Sequence, residues 1–128
     1  MGEGLGEGRE FMIDLINVQG LTDLKAYEIG KLLEGRKHRI IGLVETHEKY
    51  KRVDWMDGVK EIAQRREMSD KKGGGLLLLT RDGDDIKLEK AEEDCKDILV
   101  GNVSVGGWEL KLVLTYLDIA DIDRNRTG

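Results

Sequence analysis

The sequence predicts an α/β fold in which a mixed sheet carries one or two helices on one face. Three observations lead to it. Residues 11–44 have the pattern of a strand, a helix and a strand, residues 76–80 form a continuous apolar strand, and residues 98–116 have the pattern of a hairpin. A helical crossover joins parallel strands, whereas hairpins add antiparallel ones. The predicted sheet is therefore parallel at its start and antiparallel afterwards.

The first strand and the helix each carry their own boundary signals. Residues 11–18 are rich in strand formers, with Phe11, Ile13, Leu15 and Asn17 on one face, and Gly20 ends the strand. Thr22 or Asp23 can cap the helix that follows, and Gly35 can end it. The apolar stripe predicted for this helix is Leu24, Tyr27, Ile29, Leu32 and Leu33.

The later strands are bounded by glycine and aspartate. Residues 53–66 are left open, because the apolar spacing there is helical but is interrupted by Gly58. Residues 76–80 are apolar throughout, as in a strand covered on both faces. Residues 81–84 contain an Asp-Gly turn signal, so residues 86–90 are predicted to return as the second strand of a hairpin. Residues 98–105 and 108–116 form a second hairpin around Gly106 and Gly107.

Composition bounds the class of protein. The chain has 128 residues, a net charge of −5, one Cys and no Pro. Residues 1–10 alternate glycine with charge and are predicted to be a flexible leader, so residues 11–128 form one domain. A single cysteine excludes a disulfide scaffold and a cysteine-rich zinc module. We expect an intracellular protein, in the cytoplasm or nucleus, because neither a secretory signal nor a membrane span is evident.

Three polar residues fall where apolar strands end, namely Asn17, Glu45 and Tyr116. Sites of α/β proteins form at such strand ends. A carboxylate there can hold a hard divalent cation, while an amide or a phenol can contact a phosphate. The alternative interpretation makes Glu45 a solvated charge and Asn17 a turn former.

Four segments carry a family resemblance. They are N-V-Q-G-L at residues 17–21, I-I-G-L-V-E-T-H at 40–47, K-G-G-G-L at 72–76 and T-Y at 115–116. Their order resembles the endonuclease/exonuclease/phosphatase superfamily, which has the DNase-I-like fold. The pattern looks most like the endonuclease domains attached to the reverse transcriptases of non-LTR retrotransposons. The fold that this resemblance implies is half of a DNase-I-like α/β sandwich, in which residues 58–64 would be a strand, against their helical spacing.

The resemblance also implies a function and a set of roles. The chemistry would be Mg²⁺-dependent or Mn²⁺-dependent phosphodiester hydrolysis, with DNA as a possible partner. Glu45 would be the metal ligand, Asn17 would position water or the scissile phosphate, and Tyr116 would contact that phosphate. The residues implied to contact nucleic acid are Gln19, His47 and Asn125.

The chain departs from the family in extent. Family domains have a second half with an Asp/Asn pair and a late Asp-His pair, which have no counterpart here. A half-domain would expose an apolar sheet face, predicted to include part of residues 76–79 and 108–114, and such a patch favours a homodimer. One alternative is a catalytically inactive remnant that binds itself or a partner. Another is an α/β binding domain outside this family.

Overall fold

The protein is described from a computed structural model, which covers residues 11–35, 37–48, 58–64, 74–81, 85–91 and 97–115. These residues form one helix, α1 (Asp23–Glu34), and seven strands. The strands are β1 (Met12–Asn17), β2 (Arg39–Val44), β3 (Val59–Gln64), β4 (Leu76–Arg81), β5 (Ile86–Lys90), β6 (Ile98–Val105) and β7 (Trp108–Thr115). The α/β class is confirmed. Residues 1–10, predicted to be a leader, lie outside the described residues, as do Tyr116 and Asn125.

The strands form two sheets, where the sequence predicted one. The first has the order β1-β2-β4-β3, with β1 parallel to β2 and the other pairs antiparallel. The second is the antiparallel sheet β5-β6-β7. The predicted β6–β7 hairpin is confirmed. The predicted β4–β5 hairpin is wrong, because both edges of β4 are taken by β2 and β3, so β5 starts the second sheet. The segment left open around residues 53–66 contains a strand, β3.

Helix α1 packs on the first sheet through small and branched residues. The side chain of Thr22 accepts a hydrogen bond from the Lys25 amide at 3.2 Å, which confirms the first of the two predicted caps, and Gly35 ends the helix. The buried positions are Ala26, Ile29, Gly30 and Leu33. The predicted stripe is therefore wrong at three positions, because Leu24, Tyr27 and Leu32 are exposed.

Two arginines of the first sheet hold the carboxyl end of α1. The guanidinium of Arg39 donates to the Leu32 carbonyl at 2.9 Å, and that of Arg81 donates to the Glu34 carbonyl at 3.4 Å. Cations are favourable at this end of a helix, where carbonyls lack partners within the helix. Arg39 also pairs with Asp14 at 3.0 Å, so one side chain ties β1, β2 and α1 together.

The core has two layers, and β2 and β4 contribute to both. Alternate side chains of a strand point to opposite faces. The layer against α1 contains Ile41 and Leu43 of β2 and Leu77 and Leu79 of β4. The layer between the sheets contains Ile40, Leu76 and Leu78, with apolar side chains of the second sheet that include Ile86, Leu88, Leu99, Val103, Val105 and Leu114.

The exposed apolar surface falls on one of the two segments predicted to carry it, residues 108–114, and not on residues 76–79. Residues 76–79 are almost completely buried, because the second sheet covers the face opposite α1. Their burial on both faces is confirmed, and the expectation that they form an exposed face is wrong. The exposed strand side chains are Trp108 (60%) and Val113 (59%), as predicted for residues 108–114, together with Ile13 (47%) and Leu15 (66%) of β1. Among the described residues, α1 is too short and too polar to cross a membrane.

Gly101 of β6 lies against side chains of the first sheet. A Cβ atom at this position would lie 2.9 Å from Leu78 Cδ1 and 3.0 Å from Ile62 Cδ1. We expect Gly101→Ala to lower the free energy of unfolding by about 1–3 kcal/mol, because both leucine and isoleucine must move within a filled layer. Urea unfolding monitored by circular dichroism measures this loss.

Gly35→Ala is the matched control. Gly35 has φ −74°, and an added Cβ would make only ordinary contacts, the nearest at 3.6 Å from the Lys31 carbonyl. The same substitution is therefore expected to leave stability unchanged or to raise it by about 0.4–1 kcal/mol. Equal effects of the two substitutions would contradict the packing described for Gly101.

Candidate functional site

The carboxyl ends of β1 and β2 bring Asn17 and Glu45 into contact. The two strands are parallel, and Asn17 is in register with Val44, so Glu45 follows directly beside it. The Asn17 side-chain amide donates through Nδ2 to Oε2 of Glu45. Asn17 Oδ1 accepts a hydrogen bond from the Gln19 amide at 3.1 Å. One asparagine thus fixes both the carboxylate and the start of the loop after β1.

The backbone of residues 45–47 is held from both sides. On the β1 side, the Glu45 carbonyl accepts from the Gly20 amide at 2.7 Å, and the Thr46 carbonyl accepts from the Leu21 amide at 2.9 Å. On the β4 side, the Thr46 amide donates to the Gly75 carbonyl at 3.2 Å, and the His47 amide donates to that of Gly74 at 3.0 Å. Four hydrogen bonds therefore position Glu45, although the residue lies beyond the end of β2.

Left-handed backbone conformations are concentrated at this edge of the sheet. Gln19, Glu45 and His47 have φ values of +47°, +58° and +63°. Such values are uncommon outside glycine, and they persist where the surrounding structure imposes them. Here the imposing contacts are the hydrogen bonds on both sides of residues 45–47. The backbone therefore departs from a strand conformation at two alternate residues, Glu45 and His47.

Histidine 47 lies against the loop that follows β1. A Cβ atom at Gly20 would be 3.3 Å from Nδ1 of His47, so the imidazole ring covers this glycine. His47 and Gln19 are both exposed, and they flank the Asn17–Glu45 pair through their neighbours in the chain. The described part of the predicted site is therefore one connected surface.

The third predicted strand end is that of β7, and the position of β7 is shown by Leu114. Tyr116 lies outside the described residues, as does Asn125. Leu114, two residues before Tyr116, is buried between the sheets. Its Cδ1 and that of Leu15 are both 3.5 Å from the position of a Cβ on Gly42. The carboxyl-terminal part of β7 thus packs against β2 at Gly42, three residues before Glu45.

Two residues of the site were not predicted from the sequence. Lys25 Nζ donates to the carbonyls of Val18 at 2.6 Å and Gly20 at 3.2 Å, which stabilises the loop after β1. Thr46 is 2% exposed, with its backbone amide and carbonyl both bonded. A lysine in the first turn of a helix opposes the helix dipole, and that mismatch was a signal for Lys25. Thr46 carries no comparable signal.

The donor set limits which metal ion fits. Within the described ranges, no cluster of three or more histidine, cysteine, aspartate or glutamate side chains is placed to hold a metal. Glu45 is the carboxylate at the strand ends, and the Asn17 oxygen already accepts from Gln19. Mg²⁺ commonly takes one or two carboxylates from a protein and completes its shell with water and substrate phosphate. The residues fit such a site and do not form a closed protein cage.

Comparison with known proteins adds no family assignment. No protein-family model matches the chain, and no curated protein matches it. Arguments about function therefore depend on the motifs and on the geometry of these strand ends.

A substitution at Gly75 tests whether the hydrogen bonds from residues 74–75 position residues 45–47. Its φ is +93°, and an added Cβ would overlap Thr46 Oγ1 and approach the His47 amide nitrogen to 3.1 Å. Gly58 has φ +90° with nothing within 4 Å of its Cβ position, so it is a matched control for backbone strain alone. We expect Gly75→Ala to be more destabilising than Gly58→Ala by about 1–3 kcal/mol in urea unfolding.

The location of the perturbation is measured separately. Amide chemical shifts of Thr46 and His47 should change in Gly75→Ala and stay unchanged in Gly58→Ala, because only the first substitution contacts this segment. Equal stability losses with no shift at Thr46 would contradict the positioning described here.

Proposed function

We propose that this chain is an endonuclease-like domain related to the Mg²⁺-dependent phosphodiesterases of retrotransposons, incomplete alone and completed by self-association. The observation that carries the proposal is the hydrogen bond between Asn17 and Glu45 at adjacent parallel strand ends. These two residues belong to separate motifs, 28 positions apart, whose resemblance to that superfamily implies one site. The contact supports this interpretation over an isolated turn former and a solvated charge.

Each residue of the site has a role that follows from its contacts. Glu45 would hold Mg²⁺ or Mn²⁺ through its carboxylate, in a shell completed by water and phosphate. Asn17 Nδ2 carries two hydrogens, one of which is directed to Glu45, and the other would donate to a phosphate oxygen. When bound, the cation would stabilise charge on the phosphate and promote ionisation of water. Asn17 thus orients the carboxylate and the phosphate relative to each other.

The exposed neighbours would provide the nucleic-acid contacts. Gln19 and His47 offer an amide and an imidazole beside the Asn17–Glu45 pair, and both project from segments that are held by hydrogen bonds. By resemblance, Tyr116 would contact the scissile phosphate and Asn125 would contribute to the DNA interface. The packing of Leu114 against β2 supports the position of β7 that the role of Tyr116 requires.

The alternative function is a catalytically inactive half-domain that associates with itself or with a partner. The exposed apolar side chains on β1 and β7 favour association whether or not the chain turns over a substrate. An intracellular location, which a single cysteine also favours, belongs to both versions of the proposal.

Plasmid nicking distinguishes the two functions. The proposed enzyme converts supercoiled plasmid to the nicked form in millimolar Mg²⁺ or Mn²⁺ and loses this activity in EDTA. We expect Glu45→Ala to reduce nicking at least about a hundredfold, and Asn17→Ala about tenfold to a hundredfold, because each removes an interaction with the reacting phosphate. Glu89→Ala is the matched control, since Glu89 is an exposed strand glutamate on β5 and should retain full activity.

Two results of the nicking assay would contradict the enzyme proposal or the role of Glu45. Absence of nicking at every metal concentration would select the inactive half-domain. Nicking that survives Glu45→Ala would identify a contaminating nuclease or a different site, and would overturn the proposed role of this residue.

A further inference from the structure

The loop after β1, residues 18–21, is held between Lys25 of α1 and the backbone of Glu45. On the helix side, the ammonium of Lys25 donates to the carbonyls of Val18 at 2.6 Å and Gly20 at 3.2 Å. On the other side, the Gly20 amide donates to the Glu45 carbonyl at 2.7 Å. The loop therefore directs carbonyls toward the helix and an amide toward the candidate site.

Two successive left-handed residues accompany this arrangement of carbonyls. Gln19 has φ +47° and Gly20 has φ +92°. Left-handed backbone at a residue other than glycine persists where neighbouring groups stabilise it. The carbonyls before and after Gln19 converge on one ammonium. Converging carbonyl dipoles repel each other, and the positive charge of Lys25 turns this repulsion into two charge-assisted hydrogen bonds.

The helix gains nothing from a cation at this position. Lys25 is the third residue of α1, in the first turn, where the unpaired amides carry partial positive charge. A lysine there is unfavourable for the helix dipole. The loop carbonyls compensate for this position, so the charge of Lys25 serves the loop and not the helix.

We propose that Lys25 is a positioning residue of the candidate site. By fixing the loop, it sets the place of the exposed side chain of Gln19. It also fixes Gly20, against which the imidazole of His47 lies. This structural role goes beyond the proposed function, whereas its consequence for nucleic acid rests on that function, in which Gln19 and His47 contact DNA. Lys25 acts through these residues and touches neither the phosphate nor the metal.

Amide hydrogen exchange tests the positioning and requires no activity. We expect Lys25→Met to speed exchange of the Gly20 and Leu21 amides at least about tenfold, because two charge-assisted hydrogen bonds are lost. The amide of Leu33, in the buried part of α1, should be affected much less. Equal acceleration at all three amides would overturn the proposal, since Lys25 would then act only through overall stability.

Two further variants make the comparison specific. Lys31→Met removes the same charge from the same helix, but the ammonium of Lys31 lies 6.0 Å from the centre of the Tyr27 ring. Exchange at Gly20 should not change in this variant. Lys25→Arg keeps donors for both carbonyls and should retain most of the protection. Faster exchange at Gly20 in Lys31→Met, or equal losses in the two Lys25 variants, would contradict the assignment.

The nicking assay tests the consequence for nucleic acid. We expect Lys25→Met to raise KM for plasmid about tenfold and to change kcat much less. The reason is that the DNA-contacting side chains shift, while the hydrogen bond from Asn17 to Glu45 remains. A fall in kcat at unchanged KM would overturn this role. A chain that does not nick refutes the proposed function, and the exchange comparison then decides on Lys25. A nicking chain whose exchange is unchanged by Lys25→Met refutes only the positioning role.

Discussion

The antiparallel pairing of β2 with β4 is the constraint on which the other layers depend. Both strands are buried on both faces, so each supplies one set of side chains to α1 and the alternate set to the second sheet. Buried apolar side chains on both faces place this pair at the centre of both core layers. Because both edges of β4 are occupied, the chain after β4 has no position left beside it. The second sheet and its packing over β2, β3 and β4 follow from that exclusion.

The candidate site extends this pairing beyond the strand ends. Residues 45–47 remain between the β1 loop and residues 74–75, with hydrogen bonds to both, although neither side is regular strand. The backbone of Glu45 is therefore fixed relative to the sheet, although the residue lies outside β2. Lys25 and Asn17 stabilise the neighbouring loop through its carbonyls and the Gln19 amide. Such supported strand ends are where functional side chains of α/β proteins are usually held.

Some of this organisation was predictable, and the reasons differ between elements. Continuous apolar character predicted the burial of residues 76–79, and parallel pairing of the first two strands predicted that Asn17 and Glu45 would be neighbours. The helix stripe was misassigned because large apolar residues dominated the pattern, whereas Ala26 and Gly30 allow close approach to the sheet. The family resemblance indicated strand β3, whereas local apolar spacing indicated a helix, because the pairing of β3 with β4 is not encoded in that spacing.

The residues of the candidate site also differ in how far the sequence predicts them. Side chains with distinctive chemistry, such as Glu45 and His47, can be recognised in a sequence by their motif. Thr46 and Gly75 act through backbone hydrogen bonds and close contact, which leave no comparable pattern. The turn signal at residues 81–84 was equally local, because it indicates a change of direction and does not specify which sheet receives the next strand.

The topology also sets an order in which the molecule assembles. The sheet β5-β6-β7 pairs only consecutive strands, so its contacts close short loops, and β1, α1 and β2 form a similarly local unit. The pairing of β2 with β4 closes a somewhat longer loop than that of β1 with β2, and a much longer one than either hairpin of the second sheet, so it carries the larger entropic cost. Two of the four hydrogen bonds to residues 45–47 come from the residues just before β4. We therefore expect the candidate site to reach its final geometry late in folding, after both local units have formed.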